Sequence, residues 1–164
     1  MDGARQSTTW EDMNLGDRHV TMRRTITEAD LVSFVTGTGL FEVLFMDAPY
    51  VEHETPYGGR LVPAALTYSF AEGLLVQSSG IHLSGLAFLG MELKTIGPVL
   101  VGDTINVEQV VTQVRPSRTP GRGVVTTTNT VFRQDGEPVL EYKPVRLVKG
   151  RDYLTATETG GQRR

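Results

Sequence analysis

The 164-residue chain carries a formal net charge of −3, is 39% hydrophobic and 21% charged, and contains no cysteine. This composition is typical of a globular protein, and the length suffices for one domain with a hydrophobic core. The absence of cysteine excludes disulfides, thiolate nucleophiles and cysteine-ligated metals, and the acidic pI of about 5.6 argues against a nucleic-acid partner.

The first residues contain no apolar segment of the kind found in secretory signals. No stretch approaches the ~20 apolar residues that a membrane span requires. We therefore expect a cytoplasmic protein that does not bind membranes. Small and polar residues predict disorder over residues 1–9 and 155–164, which leaves a single domain over residues 10–154.

The first predicted elements are a strand and a short helix. Residues 18–26 alternate as a strand does, and three apolar residues share one side of it: Val20, Met22 and Ile26. In the following "TEADLVSFV", Thr27 is a suitable N-cap, and the acidic residues of the first turn favour the helix dipole. Gly37 and Gly39 are expected to end this helix.

Two dissimilar segments follow. Residues 39–60 have no regular period and contain several prolines and glycines, which is typical of a long functional excursion. Residues 61–79 are apolar on almost every side, with Pro63 in the first turn, where its missing N–H costs nothing. This pattern predicts a helix that is buried on all sides.

From Leu83 onward the period changes to two, which predicts four long strands. The last two strands are joined by Asp135-Gly136, a strong hairpin signal. One antiparallel sheet wrapped around one buried central helix satisfies the whole pattern. The predicted fold class is therefore α+β, with a single domain in the hotdog arrangement.

Five segments in this order resemble the MaoC-like dehydratase/hydratase family of hotdog proteins. They are "WEDMNLGD" (10–17), "ITEADLVSFVTG" (26–37), "YGGRLVPAALTYS" (57–69), "IGPVLVGDTINV" (96–107) and "RGVVTTTNTVFRQDGEPV" (122–139). The resemblance implies a homodimer that binds acyl thioesters of coenzyme A or acyl carrier protein. It also implies that water is added to, or removed from, the α,β double bond of the substrate.

The reactive loop departs from the family pattern, which resembles T-G-D-x-N-P-x-H-x-D. Counted from Thr36-Gly37, the Asp and His positions hold Thr38 and Val43. Counted backwards from "YGGR", they hold Phe41 and Met46. The catalytic pair of the family is absent in both frames, and the loop is longer than usual. The later family segment I/V-A-H-G is replaced by "LVPA" at residues 61–64.

The excursion offers other groups for acid–base chemistry. Glu42 is the first candidate, because burial beside apolar neighbours would raise the pKa of its carboxyl group into a useful range. Asp47 and His53 are the other two candidates for catalytic residues. The alternative interpretation is that these are ordinary solvated side chains, with His53 exposed in the "EHE" segment.

Four residues are candidates for substrate binding. Phe41 and Phe45 would either line an acyl pocket or pack the loop onto the sheet, and we favour packing because buried apolar residues mostly belong to the core. Pro63 and Ala64 begin the buried helix, where free backbone N–H groups and the positive end of the dipole can polarise a thioester carbonyl. The family resemblance assigns this contact to the position of Ala64.

Three functional hypotheses remain open from the sequence. The first is an acyl-thioester hydratase or dehydratase with a remodelled active-site loop. The second is a catalytically inactive binding or partner subunit, and the third is an acyl-CoA thioesterase. No His, Asp and Glu spacing fits a metal site, so we expect neither a metal nor a cofactor. Ser78, Ser79 and Ser84 lack a histidine at a persuasive spacing.

Overall fold

The computed structural model describes residues 8–78 and 84–153. The strands are β1 (Arg18–Val20), β2 (Arg24–Thr25), β3 (Gly85–Thr95), β4 (Thr104–Pro116), β5 (Arg122–Arg133) and β6 (Pro138–Lys149). The helices are α1 (Glu28–Thr38), α2 (Val43–Met46), α3 (Ala48–Glu54) and α4 (Ala64–Ser78). Residues 1–7, Ser79, His82 and the predicted tail 155–164 lie outside the described part of the chain.

All six strands form one antiparallel sheet in the order β1-β4-β5-β6-β3, and β2 also pairs with β4. Buried residues alternate along β4 because successive side chains of a strand point to opposite faces. The inward side chains of the central strands and the apolar face of α4 share the main core. The predicted α+β hotdog architecture is therefore confirmed.

The hairpin between β5 and β6 forms where Asp135-Gly136 predicts it. Gly136 has a φ of +85°, and its N–H donates to the Arg133 carbonyl over 3.0 Å. The Arg133 N–H donates in turn to the Glu137 carbonyl over 2.9 Å. Among the described residues only glycines have positive φ, so Gly136 alone supplies the left-handed conformation of this turn.

Helix α1 begins as the sequence predicts. The Thr27 hydroxyl accepts from the Asp30 N–H over 3.2 Å, and the Asp30 carboxylate accepts from the Thr27 N–H over 2.8 Å. This reciprocal pair is a capping box, which satisfies two backbone donors at the helix start. Gly39 ends the helix with a φ of +71°, whereas Gly37 lies within it, contrary to the prediction that both end it.

The strand predicted over residues 18–26 is divided into β1 and β2. Its side chains also face differently from the prediction, because Val20 is 51% exposed and Met22 is 62% exposed. Thr21 points inward instead, and its hydroxyl accepts from the buried Val107 N–H over 3.0 Å. Only Ile26 of the three predicted inward residues is buried.

Helix α4 is not buried on every side, which corrects the prediction. Leu66, Ala71, Leu74 and Leu75 pack into the main core, but the opposite face is open to solvent in the single chain. That open face carries Ala65, Ser69, Val76 and Gln77. The sheet curls around one side of the helix only, so the other side faces solvent in the single chain.

The amino-terminal segment packs across the ends of β5 and β6. The Trp10 ring lies directly against Gly123 and Gly150, where a Cβ atom would overlap it. The Asp12 carboxylate also accepts from the Arg151 guanidinium over 2.5 Å. Residues 10–12 and residue 151 together form a contact that we call the terminal clasp.

We predict that Gly123→Ala displaces the Trp10 ring, because the added methyl group occupies its position. The emission of this single tryptophan should shift to longer wavelength, and the protein should lose about 1–3 kcal/mol of unfolding free energy. Gly37→Ala is the control, because a Cβ there meets nothing within 4 Å. Unchanged emission in Gly123→Ala would contradict the packing described.

Candidate functional site

An apolar cavity of about 340 Å³ opens at the amino-terminal end of α4. Its walls come from the excursion, from the start of α4, from the end of β3 and the segment after it, and from the start of β6. The lining residues are Phe45, Tyr57, Leu61, Val62, Ala64, Thr67, Thr95, Ile96, Gly97, Pro98, Val99, Val139 and Leu140. A concave and mostly apolar surface of this size is typical of a small-ligand site.

One wall of the cavity is fixed by backbone pairing of the segment before α4. The Val62 N–H donates to the Val99 carbonyl over 2.9 Å, and the Val101 N–H donates to the Arg60 carbonyl over 2.9 Å. Gly58 turns the chain into this segment with a φ of +67°. The segment that leads into α4 is therefore held against the connection between β3 and β4 by hydrogen bonds on both sides of Leu61.

The first turn of α4, whose Ala64 lines the cavity, contains free backbone donors. The Leu66 and Thr67 N–H groups both donate to the Pro63 carbonyl, over 3.0 and 3.1 Å. Within the described residues, the N–H groups of Ala64 and Ala65 have no such partner. A helix start carries a partial positive charge, so these donors suit an oxygen atom that gains negative charge.

The predicted substrate-binding residues divide into two pairs. Phe45 and Ala64 line the cavity, and Phe45 also packs against Leu31 and Val35 in a second core cluster. Phe45 therefore contributes both to the wall of the cavity and to a core cluster with α1, whereas the predicted packing was onto the sheet. Phe41 and Pro63 lie outside the lining. Phe41 is 64% exposed, whereas Pro63 is buried.

The predicted catalytic residues lie on the outer side of the excursion. Glu42 is exposed immediately before α2, where its carbonyl accepts from the Phe45 N–H over 2.9 Å. The predicted burial of Glu42 is absent from the single chain, because Glu42 and its neighbours Phe41 and Val43 are all exposed.

Asp47 and His53, like Glu42, are exposed on the excursion. The Asp47 carboxylate caps α3 by accepting from the Tyr50 N–H over 3.0 Å, and His53 is exposed in the last turn of that helix. Neither lines the cavity, and the structure does not bring them together with Glu42 around it. Among the described residues of the lining, only Tyr57 is titratable, and it is not one of the predicted site residues.

A polar layer lies between α4 and the sheet, beyond the cavity. Glu72 of α4 forms an ion pair with Arg146 of β6 over 2.5 Å, and both side chains are mostly buried. Burial raises the pKa of Tyr142, and the Glu72 carboxylate raises it further. The same two causes raise the pKa of Tyr68, whose ring meets that of Tyr142 edge to face. This layer anchors α4 to the sheet.

The structure brings one histidine close to a serine, which the sequence spacing did not suggest. His19 Nε2 lies 2.9 Å from the Ser78 hydroxyl oxygen at the carboxyl end of α4. The Ser78 hydroxyl donates to the Leu74 carbonyl over 2.7 Å, so its proton is directed away from the imidazole. This contact joins β1 to α4.

Residues 8–78 and 84–153 contain neither a membrane-spanning helix nor a metal-binding cluster. Within them, no helix combines the length and the apolar character that crossing a membrane requires. No group of three or more His, Asp or Glu side chains within the same residues has the arrangement of a metal site.

Comparison with known proteins gives concordant results. Residues 14–142 match the family model for the FAS1-like dehydratase domain region. The chain is 39% identical over 99 residues to the protein MaoC of Klebsiella aerogenes. That match covers 60% of this chain but only 29% of the relative, so the chain corresponds to less than a third of that protein.

Solved structures agree with the fold. A MaoC-like dehydratase from Rhodospirillum rubrum is 27% identical with a TM-score of 0.78, over 89% of this chain and 99% of that one. An (R)-hydratase from A. caviae is 25% identical with a TM-score of 0.68, over 85% and 98% of the two chains. A double-hotdog protein from Mycobacterium tuberculosis is 18% identical with a TM-score of 0.78, over 92% and 47%.

We predict that Glu72→Ala destabilises the protein by about 3–5 kcal/mol, because Arg146 would be left as a buried charge without its partner. Urea denaturation measures the change. Glu141→Ala is the control, because its pair with Lys143 is more exposed and should contribute about 0–1 kcal/mol. Equal effects of the two substitutions would contradict a role for the polar layer in anchoring α4.

Proposed function

Because this chain belongs to the FAS1-like dehydratase family of MaoC-like hotdog proteins, we propose that it is an acyl-thioester hydratase or dehydratase with a remodelled active-site loop. The observation that carries this proposal is the apolar cavity that reaches the free N–H groups of α4. The acyl group would occupy the cavity, and its thioester carbonyl would accept from the Ala64 N–H. The structural similarity to an (R)-hydratase from A. caviae supports this class of reaction.

The acid–base groups are proposed to come from the excursion. Glu42 and Asp47 lie three and two residues from Phe45 in the sequence, and His53 lies four residues before Tyr57. Each candidate is therefore close in sequence to a side chain that lines the cavity. A movement of the excursion that buries Glu42 would bring its carboxylate towards the substrate.

A second function is favoured by one specific observation. The lining of the cavity, as far as the described residues form it, contains no carboxylate and no imidazole. A protein with this lining can hold an acyl thioester without hydrating it. The alternative proposal is therefore a catalytically inactive subunit that binds an acyl thioester for a partner.

We predict that the protein hydrates the double bond of crotonyl-CoA or of a longer trans-2-enoyl-CoA. The absorbance of the enoyl thioester should then decrease with time. Glu42→Gln, Asp47→Asn or His53→Ala should lower the rate by about 10²–10⁴-fold where the residue is the acid or base. Glu54→Gln is the control, because this exposed carboxylate is not among the candidates.

The same assay separates the three hypotheses when free thiol is measured in parallel. Release of thiol without loss of the double bond would identify a thioesterase. Binding of the thioester with neither reaction would favour the inactive subunit. Equal activity in all three variants would exclude these residues from the chemistry.

We propose a homodimer as the working state. Strand β3 pairs with β6 on one side, and its other edge has no partner within the described chain. Phe88 and Leu89 of this edge are both exposed. An edge strand of this length with apolar side chains is a ready site for pairing with a second copy. Acyl thioesters of coenzyme A or acyl carrier protein are the proposed substrates.

We predict that Leu89→Lys converts the dimer to a monomer, because a charge on the edge strand opposes strand pairing. Size-exclusion chromatography with light scattering measures the mass in solution. Leu15→Lys is the control, because Leu15 is also an exposed leucine but lies outside β3. A monomeric unaltered protein, or a dimer that survives Leu89→Lys, would contradict this interface.

A further inference from the structure

The geometry points to Tyr57 as a second hydrogen-bond donor at the reacting carbonyl. We propose that its phenol O–H and the Ala64 N–H together bind the thioester carbonyl oxygen of the substrate. This inference rests on the proposed function, because it names a further residue at the same cavity. It does not depend on which group acts as acid or base.

Tyr57 is distinguished first by its chemistry. It is the single titratable side chain in the lining, and within the described residues its hydroxyl has no hydrogen-bond partner. The Thr67 hydroxyl, which also belongs to the lining, is directed to the Pro63 carbonyl over 3.4 Å. The Tyr57 hydroxyl is therefore available to a ligand, whereas that of Thr67 has an acceptor in the protein.

Tyr57 is also fixed relative to α4. The left-handed Gly58 follows it directly, and the pairing of Arg60 and Val62 with the opposite segment fixes the chain between Tyr57 and Ala64. The side chain is 37% exposed, so it belongs to the solvent side of the cavity, through which a thioester must pass. Ala64 begins α4 on the wall of the same cavity.

A phenol is well suited to this role. A phenol O–H is a stronger hydrogen-bond donor than an aliphatic hydroxyl, and the ring carries it on a rigid side chain. During hydration or dehydration, charge accumulates on the carbonyl oxygen, and a positioned donor stabilises that charge. The proton stays on the phenol oxygen throughout, so this role needs no proton transfer.

The experiment uses the coenzyme A thioester of 2,4-hexadienoic acid, whose conjugated absorption moves to longer wavelength when its carbonyl is polarised. The full-length protein is titrated with this probe, and both the spectral shift and the affinity are measured. Tyr57→Phe removes the hydroxyl and keeps the ring. Tyr50→Phe is the matched control, because Tyr50 is also 37% exposed and lies on the same excursion outside the cavity lining.

We expect Tyr57→Phe to lose most of the spectral shift, with affinity weakened by less than about tenfold. With a substrate that is turned over, kcat should fall by about 10²–10³-fold while KM changes little. Tyr50→Phe should retain the shift and the rate. This split between carbonyl polarisation and binding would not arise if Tyr57 only supported the local structure.

Two outcomes would overturn the inference, and they are distinguishable. Binding with an unchanged shift in Tyr57→Phe would remove Tyr57 from the carbonyl and leave the proposed function intact. Absence of any binding by the unaltered protein would overturn the proposed function, and the role of Tyr57 with it.

Discussion

The packing of α4 against the inward faces of β4, β5 and β6 is the interaction on which both the fold and the cavity depend. Leu66, Leu74 and Leu75 of the helix share one core cluster with fully buried residues of the three strands. Each such side chain contributes about 1.5–3 kcal/mol when it is buried. Because this packing fixes the axis of α4, it also fixes the position at which its free N–H groups meet the cavity.

Much of the fold was predictable because its signals are local. The capping box of Thr27 and Asp30, the hairpin glycine Gly136 and the two-residue alternation of β4 each involve neighbours in sequence. The errors arise where distant parts of the chain decide the outcome. Thr21 points inward because Val107 offers it a backbone partner, and one face of α4 is exposed because the sheet of a single chain covers the other.

The candidate site was less predictable for the same reason. Its general location at Phe45 and Ala64 followed from the apolar excursion and the helix start. Tyr57 could not be separated from the other tyrosines of the chain until the cavity was known. The pairs Glu72–Arg146 and His19–Ser78 are 74 and 59 residues apart in sequence, and no local pattern relates their members. Glu42 is exposed because it lies on the solvent side of the excursion, and the spacing of residues in the sequence does not reveal that position.

The terminal clasp has a consequence for the entropy cost of folding. Asp12 and Arg151 are 139 residues apart, so their contact closes a loop that includes almost the whole described chain. In the unfolded chain the entropy cost of closure grows with loop length, and this loop is far longer than those of the hairpins. Once β1 has paired with β4, most of that loop is already bridged by the sheet. The clasp therefore costs little further loop-closure entropy once the sheet has formed, and Trp10 lies at that contact.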